Sequence, residues 1–102
     1  GDAALPMRHS EIQDPEELLN KVINNMKLLY QKAGLVHGDL SSYNILIQDG
    51  DPVIIDISQG MTRDHPISNE LLNRDIDNIV KDFKKLKIII SNEEIKSAIK
   101  DL

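Results

Sequence analysis

Cysteine and tryptophan are absent from the 102-residue chain, which contains only two tyrosines and one phenylalanine. Without cysteine there can be no disulfide framework, thiolate metal site or thiol nucleophile, and we expect an intracellular, cytoplasmic protein. With so few aromatic side chains the core must be built from Ile, Leu and Val. A chain of this length without a break in composition fits a single domain or part of one.

Long apolar runs and an excess of positive charge are also missing. The longest apolar runs have a few residues, far short of the roughly 20 that span a bilayer, so we expect a soluble chain without membrane contact. The net charge of −5 argues against general nucleic-acid binding, including direct DNA binding. One basic cluster, at residues 81–87, could touch RNA locally, but it is more typical of the solvated carboxyl end of a helix.

The sequence Asp14-Pro15-Glu16-Glu17 is typical of a helix start. Asp14 can accept hydrogen bonds from free amides, Pro15 suits the first helical position and the glutamates favour the positive end of the dipole. Apolar residues then recur at helical spacing up to residue 33, and Gly34 is suited to a left-handed stop. The pattern predicts an amphipathic helix from about 15 to 33, after an extended lead-in at residues 1–13.

Two further amphipathic helices are predicted in the second half of the chain. One begins at Ser68 or Asn69 and runs to about Lys87, with apolar residues along one face. The other follows Ser91, because Ser91 and Glu94 have the spacing of a capping box in which each satisfies the other's backbone amide.

Two short apolar runs, at residues 45–47 and 53–55, are separated by a segment that contains Asp49-Gly50 and Pro52. The Asp-Gly pair adopts positive φ readily, and proline is confined to strand edges or starts. We therefore predict a two-stranded β-hairpin. Because a hairpin returns the chain to its starting end, Asn44 before it and Asp56 after it are expected to lie close together.

Asp39, Asn44 and Asp56 have the order and residue types that phosphoryl transfer requires. That reaction needs a divalent cation against the phosphates and a carboxylate at the attacking hydroxyl. Magnesium prefers oxygen ligands, which Asn44 and Asp56 can supply, while Asp39 is five residues before Asn44 in a loop. His37 is more plausible as a hydrogen-bonding brace for this loop than as the base.

The spacing of Asp39 and Asn44 is that of a kinase catalytic loop. Residues 35–46 (LVHGDLSSYNIL), 52–59 (PVIIDISQ), 64–66 (DHP), 74–75 (RD) and 78–79 (NI) together resemble the RIO family of atypical protein kinases. The resemblance covers roughly residues 30 to 85. Its type-1 branch is favoured, because the type-2 branch usually has Phe-Asn in place of Leu40-Ser41 and Phe-Pro-Gln in place of residues 57–59.

The resemblance implies that Asp39 is the catalytic aspartate and that Asn44 and Asp56 bind Mg²⁺ (or Mn²⁺) on ATP. It also implies autophosphorylation on serine, ATPase turnover, and a role in maturation of the pre-ribosomal small-subunit particle. An aspartyl-phosphate proposed for relatives would make Asp56 an acceptor as well as a ligand. Ser42 departs from the usual Glu of the family, which puts activity in doubt.

The expected fold is α+β and mainly helical: a protein-kinase-like C-terminal lobe with a two-stranded hairpin flanked by amphipathic helices. Residues 1–102 would be one partial domain, because no glycine-rich loop or strand lysine precedes Asp39 and the nucleotide-binding N-terminal lobe is absent. The isolated chain is therefore expected to be inactive. Asp75, beside Arg74, is expected to form a surface or loop-bracing ion pair rather than to act in catalysis.

Two other functions remain open. The chain could belong to a non-catalytic, kinase-like scaffold in ribosome assembly. It could also be the lobe of a small-molecule phosphotransferase of the aminoglycoside or choline type, which uses His-Gly-Asp and a later Ile-Asp. Those enzymes usually have Trp or Phe after the second Asp, and Ser58-Gln59 argues against them.

Overall fold

The computed structural model describes residues 5–6, 12–55 and 61–101. In this part of the chain, three α-helices and two small antiparallel sheets form an α+β fold. The helices are α1 (Pro15–Gln31), α2 (Ser68–Lys84) and α3 (Asn92–Lys100). All three predicted helices are confirmed, although α1 and α2 end two to three residues earlier than the sequence pattern indicated.

The predicted start of α1 is confirmed. The Asp14 side chain accepts a hydrogen bond from the Glu17 amide at 3.1 Å, and Pro15 opens the helix. At α3, Ser91 Oγ accepts from the Glu94 amide at 3.1 Å, as predicted. The Glu94 carboxylate accepts from the Ser91 hydroxyl at 3.2 Å, whereas the capping box places it on the Ser91 backbone amide.

The predicted hairpin consists of β3 (Ile45–Gln48) and β4 (Asp51–Ile54), with Ile45 opposite Ile54 and Gln48 opposite Asp51. Its two-residue turn has positive φ at both positions, 52° at Asp49 and 83° at Gly50. This is the geometry that Asp-Gly adopts at low cost, and it fixes the register of the hairpin.

Three short strands were not predicted. β1 (Leu5–Pro6) pairs with β3 and extends the hairpin to a three-stranded sheet of order β1-β3-β4. β2 (Leu35–Val36) pairs with β5 (Met61–Thr62) in a second sheet. Strands of two residues are too short to show an alternating pattern, so the sequence carries no periodic signal for them.

The core is aliphatic, as expected from the composition. α1 packs against α3 and against β4, and α2 packs against α3. The Gln31 side chain at the end of α1 donates to the Ile99 carbonyl at 2.8 Å and so joins α1 to α3. The buried apolar side chains are Leu18, Leu19, Val22, Met26, Val36, Leu40, Ile45, Leu72, Ile76, Ile79, Phe83, Ile95 and Ile99. No helix in the described ranges is long and apolar enough to cross a membrane.

Candidate active site

The segment between β2 and β3, residues 37–44, carries two of the predicted site residues. Asp39 is exposed, while its neighbours Gly38 and Leu40 are buried. The segment ends in one 3₁₀ turn, Ser42–Asn44, for which the Ser41 hydroxyl accepts from the Tyr43 amide at 3.2 Å. We call residues 37–44 the catalytic loop, after the role that the sequence predicts for Asp39.

His37 is 1% exposed and joins the catalytic loop to the end of the hairpin. Its Nδ1 accepts from the Asp39 amide at 3.1 Å, and its Nε2 donates to the Ile55 carbonyl at 2.7 Å. Both ring nitrogens are used within the protein. The prediction that His37 is a structural brace is therefore confirmed.

Asn44 closes the catalytic loop onto itself. Its side-chain Nδ2 donates to the Asp39 carbonyl, and its backbone amide donates to the Ser41 carbonyl at 2.9 Å. Only the NH₂ group can donate to a carbonyl, so this bond fixes the orientation of the side-chain amide. Among the described residues Asn44 Oδ1 has no hydrogen-bond partner. This oxygen is therefore available as a metal ligand in the same loop as Asp39.

Asp75 of α2 is 1% exposed and accepts two backbone amides of the catalytic loop, from Gly38 at 2.8 Å and from Leu40 at 2.9 Å. Burial raises the pKa of its carboxyl group, while the two amide hydrogen bonds act in the opposite direction. The prediction that Asp75 braces the loop is correct, but the predicted interaction, an ion pair, was wrong. Asp75 is buried and binds loop amides, rather than acting through an ion pair at the surface.

Three neighbours of Asp75 on the same helix also hold the loop backbone. Arg74 donates to the Gly38 carbonyl, and Asn78 Nδ2 donates to the Leu40 carbonyl at 3.0 Å. Asp82 accepts from the Ser42 amide at 2.7 Å. Asn78 and Asp82 were not predicted as parts of the site. Their spacing from Asp75, three and seven residues, was the available signal, because it places polar side chains along one stripe of a helix.

Asp56, the third predicted site residue, lies outside the described residues. The bond from the Ile55 amide to the Asn44 carbonyl, 2.9 Å long, closes the base of the hairpin just before it. In the described ranges no group of three His, Cys, Asp or Glu side chains could hold a metal ion. The oxygen donors that are described, above all Asn44 Oδ1, are of the kind that Mg²⁺ prefers.

Comparisons with known proteins identify the family of the chain. The RIO domain family model matches residues 1–96. The chain therefore belongs to the RIO family.

Curated relatives carry the names of both main branches of the family. The chain is 40% identical over 88 residues to the RIO-type serine/threonine-protein kinase Rio1 of Methanocaldococcus jannaschii, covering 86% of this chain and 30% of that protein. It is 42% identical over 90 residues to Rio2 of the same organism, covering 84% and 33%. These identities do not separate the two branches. The chain spans about a third of the length of these relatives.

Solved structures of the family share the fold. The Rio2 kinase from Chaetomium thermophilum in its ADP/Mg²⁺-phosphoaspartate complex matches with a TM-score of 0.79 at 29% identity, covering all of this chain and 35% of that one. A second structure of that kinase matches with a TM-score of 0.77 at 30% identity.

Proposed function

We propose that this chain supplies the catalytic and metal-binding lobe, the C-terminal lobe, of a RIO-type serine/threonine kinase or ATPase of the type-1 branch. The observation that carries the proposal is the fixed catalytic loop. Side chains of α2 hold its backbone at Gly38, Leu40 and Ser42, which leaves Asp39 exposed between two anchored positions. A carboxylate held in this way is suited to orient an attacking hydroxyl.

Asp39 would accept the proton of a Ser, Thr or water hydroxyl while the hydroxyl oxygen bonds to the γ-phosphorus of ATP, the bond from that phosphorus to the bridging oxygen breaks, and ADP leaves. In-line transfer demands little covalent chemistry from the protein, so positioning of the hydroxyl is the main contribution of this residue. The hydrogen bond from Asn44 to the Asp39 carbonyl supports this role, because it limits movement of the loop where the carboxylate is attached.

Asn44 and Asp56 would hold Mg²⁺ (or Mn²⁺). When bound, the cation neutralises charge on the phosphates. Asn44 Oδ1 is suited to it, because the Nδ2 bond leaves that oxygen without a partner among the described residues. For Asp56 the support is the sequence order, the closed hairpin base at Ile55, and the relative solved as an ADP/Mg²⁺-phosphoaspartate complex.

The type-1 assignment rests on Leu40-Ser41 and residues 57–59. The aspartyl-phosphate on Asp56 and the role in maturation of the small ribosomal subunit follow from the family resemblance, and the cytoplasmic location follows from the absence of cysteine. Each stays a prediction. The 102 residues alone are expected to bind Mg·ATP too weakly for calorimetry at micromolar concentrations, because they carry no glycine-rich loop for the phosphates.

The test uses the full-length protein that carries this sequence, with Mg²⁺ and γ-labelled ATP. Asp39→Asn preserves the backbone carbonyl that Asn44 binds and removes the proton acceptor. We expect phosphate release and protein labelling to fall at least about 100-fold. The matched control is Asp49→Asn in the hairpin turn, where asparagine tolerates the positive φ of 52°.

Turnover by Asp39→Asn within a few-fold of the unsubstituted protein would exclude the proposed role of Asp39. An unsubstituted protein that binds pre-ribosomal particles but shows no turnover would favour the scaffold function.

A further inference from the structure

Beside the catalytic loop lies an open groove of about 620 Å³, lined by Asp39, Ser41 and Tyr43 of the loop and by residues at the end of α2 and just after it. Its α2 side contributes Lys81, Lys84 and Lys85. These residues are three and four apart, so they lie on one face of the helix end. We call them the lysine trio.

The lysine trio has no carboxylate partner among the described residues. In the described ranges, the ion pairs join Lys21 of α1 to Glu17 and to Asp51, which lies at the turn of the hairpin. Asp82 also lines the groove, but one of its oxygens is occupied by the Ser42 amide at 2.7 Å. Three cations without a carboxylate partner in the described ranges therefore lie beside the exposed Asp39, on a chain whose net charge is −5.

Building on the function proposed above, we infer that the lysine trio selects the acceptor: a protein segment in which acidic side chains flank the serine that Asp39 orients. The groove leads to Asp39, so a segment lying in it would present its hydroxyl to that carboxylate while its own carboxylates meet the lysines. Charge complementarity of this kind sets which partners are accepted more than it sets overall affinity.

An acidic peptide fits this groove better than RNA does. The groove also contains Asp39 and Asp82, which would repel a continuous phosphate backbone. A peptide can place its carboxylates at the lysines and uncharged residues at the aspartates. Nucleic-acid surfaces use many clustered cations over a wide area, and the chain as a whole is acidic.

The test measures fluorescence anisotropy of a labelled serine peptide flanked by glutamates, without ATP, on the full-length protein that carries this sequence. The comparison peptide has glutamine in place of each glutamate. The variant is Lys81→Gln/Lys84→Gln/Lys85→Gln, and the matched control is Lys27→Gln/Lys32→Gln/Lys96→Gln, which makes the same charge change outside the groove.

We expect the lysine-trio variant to bind the acidic peptide about tenfold more weakly, as the loss of three exposed ion pairs implies. The control variant should bind the acidic peptide as the unsubstituted protein does, and the lysine-trio variant should bind the glutamine peptide as the unsubstituted protein does. The difference between the lysine-trio variant and the unsubstituted protein in binding the acidic peptide should shrink in high salt. Equal weakening in the two variants would overturn the inference, because it would show that net charge alone matters. Lysine-dependent binding of a single-stranded oligoribonucleotide more tightly than the acidic peptide would also overturn it.

The outcome is separable from that of the proposed function. Peptide binding needs no phosphoryl transfer, so loss of turnover in Asp39→Asn together with unchanged peptide binding in the lysine-trio variant refutes only the acceptor inference. Lysine-dependent binding together with full turnover in Asp39→Asn refutes only the catalytic role.

Discussion

Helices α1 and α2 both have 17 residues, but they are stabilised differently. α1 is capped by the Asp14 side chain, and its buried residues are the apolar Leu18, Leu19, Val22 and Met26. α2 starts at Ser68, its N-cap residue Ile67 makes no side-chain capping bond, and Asp75 is buried among its apolar residues. α1 serves as a scaffold, whereas α2 uses polar side chains to hold the catalytic loop.

The difference between α1 and α2 indicates that the stability of the fold and the geometry of the loop depend on the same residues in α2 but not in α1. A substitution in α1 should weaken the fold and leave the loop geometry unchanged. A substitution in the polar stripe of α2 should alter both, because the same side chains are part of the fold and support the loop.

The largest expected effect is that of Asp75→Asn. The asparagine oxygen can accept one loop amide, but its NH₂ group would face the other, which leaves a buried donor without an acceptor. We expect the free energy of unfolding, measured in urea, to fall by about 2–3 kcal/mol, with large NMR shifts at the Gly38 and Leu40 amides.

Val22→Ala in α1 is the matched control for this variant. Val22 is 0% exposed, so its truncation should cost about 2 kcal/mol through a core cavity. The Gly38 and Leu40 amide shifts should stay in place. If both variants changed the Gly38 and Leu40 amide shifts equally, the distinction between α1 as a scaffold and α2 as the support of the loop would be wrong.

The second prediction concerns pH and the same carboxylate. Burial raises the pKa of Asp75 above its ordinary value of about 3.9, so the folded protein binds this proton more tightly than the unfolded chain does. The stabilisation from protonation is complete below the unfolded pKa and is lost as the pH rises through the folded pKa.

Unfolding of the wild type and of Asp75→Asn, compared from pH 7 downwards, isolates this contribution. The stability difference in favour of the wild type should grow on acidification, by less than about 1.4 kcal/mol per pH unit for one proton. A difference that shrinks instead would mean that the amide bonds outweigh burial and lower the pKa of Asp75.

The smallest expected effect compares the two helix starts. Asp14→Ala removes the acceptor of the Glu17 amide and should lower the free energy of unfolding by about 1 kcal/mol. Ile67→Ala, at the corresponding position of α2, removes no capping bond and should lose less. Thermal denaturation of both variants measures the difference. Equal losses would show that the Asp14 cap contributes no more than the uncapped start of α2.

Much of the fold could be predicted because its signals are local. Asp14-Pro15 marks the start of α1, Asp49-Gly50 sets the hairpin turn, and Ser91 caps α3, each through contacts within a few residues. The positions of Asp39 and Asn44 in one loop also follow from spacing along the chain. The two-residue strands could not be predicted, since only a partner distant in sequence defines them.

The support of the catalytic loop was the least predictable part of the site. Asp75 lies 35 and 37 residues from the loop amides that it binds, and Asp82 lies 40 residues from Ser42. Such pairings depend on how α2 packs, which the sequence pattern of an amphipathic helix does not specify. The signal that the sequence did offer was the spacing of Asn78 and Asp82 from Asp75 along one stripe of the helix.

The imidazole ring of His37 sets the distance between the catalytic loop and the end of the hairpin. Its ring is a rigid plane with one end on the Asp39 amide and the other on the Ile55 carbonyl, so it acts as a spacer of fixed width between the catalytic loop and the exit of the hairpin. The two segments cannot approach or separate without breaking one of these bonds. We therefore expect the spacing of the two segments to depend on His37.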